Sequence, residues 1–100
     1  MPRYLVSYDV HKNDKARDRV RDYLAGKNFK EVLESAYVGV AETDGMLLTA
    51  LVDAAKPQPD DSNPTDAKPA GFLIVKLVGG TYNGTPDALG IISNFAFGSD

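Results

Sequence analysis

An α+β domain built on one antiparallel sheet is what this 100-residue sequence predicts, and three observations carry the expectation. Residues 3–10 alternate Tyr4, Val6, Tyr8 and Val10 against Leu5, Ser7 and Asp9, which is the period of a strand. The next stretch changes period: Ala16, Val20, Tyr23 and Leu24 fall on one face when wound at about 100° per residue. The switch from strand to helix then occurs a second time, and the chain returns to a strand at Phe72-Leu-Ile-Val-Lys-Leu-Val78.

Each element has local punctuation. Asn13 or Asp14 can cap the first helix, which runs to Ala25, and Gly26 is placed to end it. Arg17 and Arg21 border its apolar face on one side and Lys15 and Arg19 on the other, with stems able to lie along apolar surface. Phe29 to Ala41 is extended but long for one strand, so two strands turning near Glu34-Ser35-Ala36 are expected. Thr43 or Asp44 caps a second helix, Gly45 to Ala55, expected to bury Leu47, Leu48, Leu51 and Val52. Lys56 to Ala70 holds four of the six prolines and three acids, and reads as a mobile surface loop. Gly79 to Gly90 is rich in turn residues, and Ile91 to Phe97 is expected to form a short extra strand.

The order is βαββαβ plus a C-terminal strand in a single domain, residues 1–100. It matches the ferredoxin-like split βαβ pattern, a four-stranded antiparallel sheet with two helices on one face. Tyr4, Val6 and Tyr8 are expected to make the sheet's other face apolar, which a homodimer would cover.

Composition excludes several functions. Without cysteine there are no disulfides, thiolate metal sites or cysteine nucleophiles. No apolar run approaches the roughly 20 residues that span a bilayer, and no secretory pattern opens the chain, so a cytoplasmic protein without membrane partners is expected. The net charge of −3 opposes nonspecific nucleic-acid binding by the whole surface. Its distribution is uneven: eight of the eleven basic residues, against four acids, lie in the first 30 positions. Gly79-Gly80 and Gly84 are not followed by Gly-Lys-Ser/Thr, so no phosphate-binding loop is present. The acids at 60, 61 and 66 lack the spacing of a calcium loop.

Four segments in order and spacing carry a family resemblance: Tyr4-Leu-Val-Ser-Tyr-Asp-Val10, Lys15-Ala-Arg-Asp-Arg-Val-Arg-Asp-Tyr-Leu24, Gly26-Lys-Asn-Phe29 and Glu34-Ser-Ala-Tyr37. Over about the first 55 residues the chain resembles the small CRISPR-associated adaptation protein family, whose relatives include the virulence-associated D ribonucleases. Two positions depart from the pattern: Leu33 stands where glutamine is usual, and Val38 replaces an acid. The resemblance implies a nucleic-acid-associated homodimer. In some members the acid matching Asp9, with its twin from the second subunit, holds a divalent metal for phosphodiester hydrolysis, while others use the fold as a scaffold.

Asp9 therefore fits two roles. As a hard oxygen ligand at a dimer axis it would share one Mg²⁺, with Ser7 orienting water and His11 acting as a general base. As a turn acid it would bond nearby backbone amides. Lys12, Lys15, Arg17, Arg19 and Arg21 are candidate phosphate contacts for DNA or RNA, although Asp18 and Asp22 stand within helical pairing distance of several of them. A metal-dependent endonuclease competes with a non-catalytic dimeric scaffold or interaction module, such as a toxin–antitoxin-like component. A small-molecule-binding regulator is a third reading.

Overall fold

The computed structural model describes residues 1–61, 70–78, 85–88 and 90–91. Six elements follow in chain order: β1 (Arg3–Asp9), α1 (Asp14–Gly26), β2 (Lys30–Leu33), β3 (Ala36–Val40), α2 (Asp44–Ala55) and β4 (Gly71–Leu77). The strands form one antiparallel sheet in the order β2-β3-β1-β4, the ferredoxin-like arrangement that the element order predicts. β1 is central. It pairs Leu5 with Val38 on one side and with Val75 on the other.

Local chemistry sets the boundaries. Asn13 caps α1, its side-chain oxygen accepting from the Ala16 amide at 3.0 Å, and Thr43 caps α2 in the same way through Met46. The end of α1 differs from expectation. Gly26 is still helical, and the left-handed residue is Asn28, with φ of 64°. The Phe29 amide donates to the Leu24 carbonyl and the Asn28 amide to that of Ala25, so the last carbonyls are satisfied in a Schellman-type ending. Asparagine tolerates that conformation better than most residues, which is why Gly26 is not needed for it. The hairpin turns at Glu34-Ser35, as expected, and a bulge falls between Glu31 and Leu33.

The faces of the sheet are the reverse of expectation. Tyr4, Val6, Tyr8 and Val10 are buried beneath the helices with Tyr37, Phe29 and the helix residues Ala16, Val20, Leu24, Leu47, Leu51 and Ala55. Each large side chain fully removed from water there contributes about 1.5–3 kcal/mol. Phe29 lies so closely on Gly39 that a Cβ at that position would overlap its ring. The register places Leu5, Ser7 and Asp9 on the opposite face, away from α1 and α2, with Ala36 and the buried Val38 of β3 and Leu73 and Val75 of β4. That face is apolar because of Leu5, Val38, Leu73 and Val75, not because of the tyrosines.

α2 also departs in part: Leu47, Leu51 and Ala55 are buried, whereas Leu48 and Val52 lie on the exposed side. Residues 86–88 and 90–91 are helical, including Ile91, where the extra strand was expected to begin. The remainder of that expected strand, and most of the 62–70 and 79–90 segments, lie outside the described residues.

Candidate functional site

The C-terminal end of β1 is where the chemistry gathers. β1 carries Ser7 and Asp9 on the face away from α1 and α2, and the turn to α1 follows with His11 and Lys12. A cavity of about 160 Å³ opens there, lined by Tyr8, Asp9, Val10, Arg17, Glu34 and Ser35. Two backbone devices shape it. The Tyr8 amide donates to the Ser35 carbonyl at 3.0 Å, tying the hairpin turn to β1, and Arg17 Nη2 donates to the Val10 carbonyl at 3.1 Å. Asp9 and His11 are exposed, and Ser7 is half-buried.

The predicted cations divide by what holds them. Arg17 also donates to Asp14 at 3.2 Å, and Arg21 donates to Asp18 at 2.9 Å, both one helical turn apart. Such exposed pairs contribute at most about 1 kcal/mol and release their charges readily. Lys15 Nζ donates to the Asp60 carbonyl at 2.8 Å.

Arg19 is different. Its Nη1 and Nη2 donate to the two carboxylate oxygens of Asp61, each at 2.8 Å, while Nε donates to the Ala54 carbonyl and Nη2 to that of Lys56. Asp61 also accepts from Asn13 Nδ2 at 3.0 Å and from the Gln58 amide at 2.9 Å, and its side chain is wholly buried. The Arg19 guanidinium, joined by Asn13 and the Gln58 amide, holds the Asp61 carboxyl well below the usual carboxylate range. This group of side chains fastens the start of the proline-rich segment to α1 and the end of α2.

Asn13 and Asp61 are the pair that sequence reasoning missed. Asn13 was legible as a cap, but nothing in the sequence sets Asp61 apart from Asp60. On the helix side, Tyr8 and Tyr37 stack with ring centroids 6.1 Å apart, and the Tyr37 hydroxyl donates to Glu31 at 3.4 Å. Burial, with Tyr8 and Glu31 beside it, pushes the Tyr37 phenol up to about 12.

Among the described residues, no three His, Cys, Asp or Glu side chains converge as a metal site. One chain therefore offers Asp9, with Glu34 lining the same cavity, as oxygen donors. Mg²⁺ commonly takes one or two carboxylates and keeps several waters, so this donor set is compatible with a metal shared between two copies. No helix of the described residues is long and apolar enough to cross a membrane.

The family model for CRISPR associated protein Cas2 matches residues 1–62, from the first strand through the second helix to the buried Asp61. No curated protein and no solved structure matches the chain at a significant level. With well over half of its length matched, and with Asp9 at the end of the central strand of a ferredoxin-like sheet, the chain belongs to the CRISPR associated protein Cas2 family.

Proposed function

We propose that this protein is a homodimeric, nucleic-acid-associated scaffold whose two copies join through the sheet faces turned away from α1 and α2. One observation carries the reading: that face is apolar and exposed along its edges, with Leu73 63% and Val75 41% exposed on β4 and Leu33 57% exposed at the end of β2, while Val38 between them is buried. Large apolar side chains left exposed on one face mark an interaction site. A twofold axis lets one self-complementary patch cover itself. Membership of a CRISPR-associated family supplies the nucleic-acid context.

The test is sedimentation equilibrium on the wild type and on Leu73→Asp. Burying the exposed part of one leucine contributes about 1–2 kcal/mol, and the twofold counts it twice. The substitution therefore weakens the dimer by at least about 30-fold, at 1.4 kcal/mol per tenfold. A wild-type monomer, or a variant that still dimerises as tightly, overturns the reading.

A second reading has its own support in the position of Asp9, which is exposed and lies on the same face as the apolar patch. Two copies joined there would each present an Asp9 near the interface rim. A bound Mg²⁺ would supply an activated water and charge stabilisation for phosphodiester hydrolysis. Asp9 would hold it, with Ser7 orienting water and His11 accepting a proton.

A further inference from the structure

We propose that Lys12 is the residue through which the Asp9 end of the sheet contacts a nucleic-acid phosphate, an inference that rests on the nucleic-acid reading above. The sequence offered five candidate cations between residues 12 and 21. Four have partners among the described residues: Lys15 with Asp60, Arg17 with Asp14 and Val10, Arg19 with Asp61, and Arg21 with Asp18, the exposed pairs of Arg17 and Arg21 with the acids being weak ones. Lys12 has no partner among the described residues, and it is exposed.

Its backbone makes the position informative. Lys12 sits at φ of 56°, in the left-handed region that favours glycine or asparagine. Among the described residues the other such residue outside glycine is Asn28, a type suited to the conformation. A lysine there is strained, and being exposed it has no partner among the described residues to offset that strain. What it adds is an ammonium group at the mouth of β1.

The charge around that mouth gives the ammonium a task. The cavity is lined by two carboxylates, Asp9 and Glu34, and by one guanidinium, that of Arg17, already shared with Asp14. The charged groups lining the cavity are net negative, which opposes a phosphate, and Lys12 is not among them but stands in the turn that follows β1. There a compact cation on a flexible stem stands three residues beyond Asp9, suited to a phosphate oxygen of varied approach. The phosphodiester backbone is common to DNA and RNA, and the experiment separates them.

Fluorescence anisotropy with a labelled DNA duplex of about 30 base pairs, and separately with an RNA strand of about 30 nucleotides, is followed across about 50–200 mM salt. Lys12→Gly, Lys12→Asn and Lys12→Arg are compared with the wild type, and Lys27→Gln removes the same charge at the far end of α1. Thermal unfolding is measured on every variant. Lys12→Gly and Lys12→Asn relieve the strained backbone and raise Tm by about 2–5 °C. The same two variants weaken binding by about 5–10-fold and lower the salt slope by about one per copy. Lys12→Arg and Lys27→Gln bind like the wild type.

Stability and affinity moving in opposite directions is a result that a purely structural Lys12 does not give. If the wild type binds and Lys12→Gly binds equally, with the same slope, Lys12 is not the contact and the nucleic-acid reading stands. If Lys27→Gln weakens binding as much as Lys12→Gly, the effect is net charge alone and the assignment of Lys12 is overturned. A wild type that binds neither DNA nor RNA overturns both.

Discussion

Replacing Arg19 by lysine keeps the charge and removes the fork, so it separates a structural arginine from a phosphate-binding one. The guanidinium makes four hydrogen bonds, two to Asp61 and one each to the carbonyls of Ala54 and Lys56, all between 2.8 and 3.0 Å. An ammonium in the same place reaches one or two of these acceptors. Net contributions of hydrogen bonds to charged groups run to about 1.5–3 kcal/mol each. Because a third of the Arg19 side chain is open to solvent, screening lowers that figure. The expected cost of Arg19→Lys is about 2–3 kcal/mol, or a fall in Tm of about 10–20 °C for a domain of this size. Thermal unfolding by circular dichroism reads the stability. Nucleic-acid binding, measured well below the midpoint, keeps the wild-type salt slope even in Arg19→Gln. A Tm unchanged within about 2 °C, together with a reduced salt slope in Arg19→Gln, refutes the structural assignment and returns Arg19 to the phosphate contacts.

Two further outcomes follow from the same geometry. The Asp61 carboxyl is held below its ordinary range in the folded protein, so its stabilising contribution is present above about pH 4 and is lost as pH falls further. The Tyr37 phenol is raised from 10.0 to about 12, so its contribution is present below pH 10.0 and is lost as pH rises toward about 12. Denaturant unfolding across pH shows both limbs, with Asp61→Asn flattening the acid one and Tyr37→Phe the alkaline one. Under the metal reading, Asp9→Asn abolishes Mg²⁺-dependent cleavage of labelled DNA or RNA while sedimentation still finds a dimer. Cleavage that survives in Asp9→Asn removes Asp9 from the chemistry.

The fold was largely legible because its signals are local. The alternation in residues 3–10, the caps at Asn13 and Thr43, and the change of period in each helix are all written within a few residues of one another. What escaped was non-local. Alternation separates Tyr4, Val6 and Tyr8 from Leu5 and Ser7, but it does not say which set the helices cover. Both sets are rich enough in apolar atoms to qualify, and the choice depends on β3, β4 and the helices together. Leu48 and Val52 fall beside the buried stripe of α2, and where that helix sits against α1 and β4 leaves them outside.

The site was half legible for the same reason. Asp9 at the end of a strand can be read from the sequence, since a strand and its terminus are local objects. The pairing of Arg19 with Asp61 spans 42 residues and engages one of two adjacent acids. The exposed Asp60 and the wholly buried Asp61 side chains share the same composition and the same turn. No period or motif distinguishes them.

Whether the dimer is the unit that binds nucleic acid is tested most directly by titrating a labelled DNA duplex and a labelled RNA strand with wild-type protein and with Leu73→Asp. The wild type is expected to bind as a dimer, with affinity falling linearly in log–log form as salt rises. Leu73→Asp is expected to be a folded monomer that binds at least about tenfold more weakly, because each copy then supplies its contacts alone. A monomeric variant that binds as tightly as the wild type, or a wild type that binds neither polymer, contradicts the dimeric nucleic-acid scaffold.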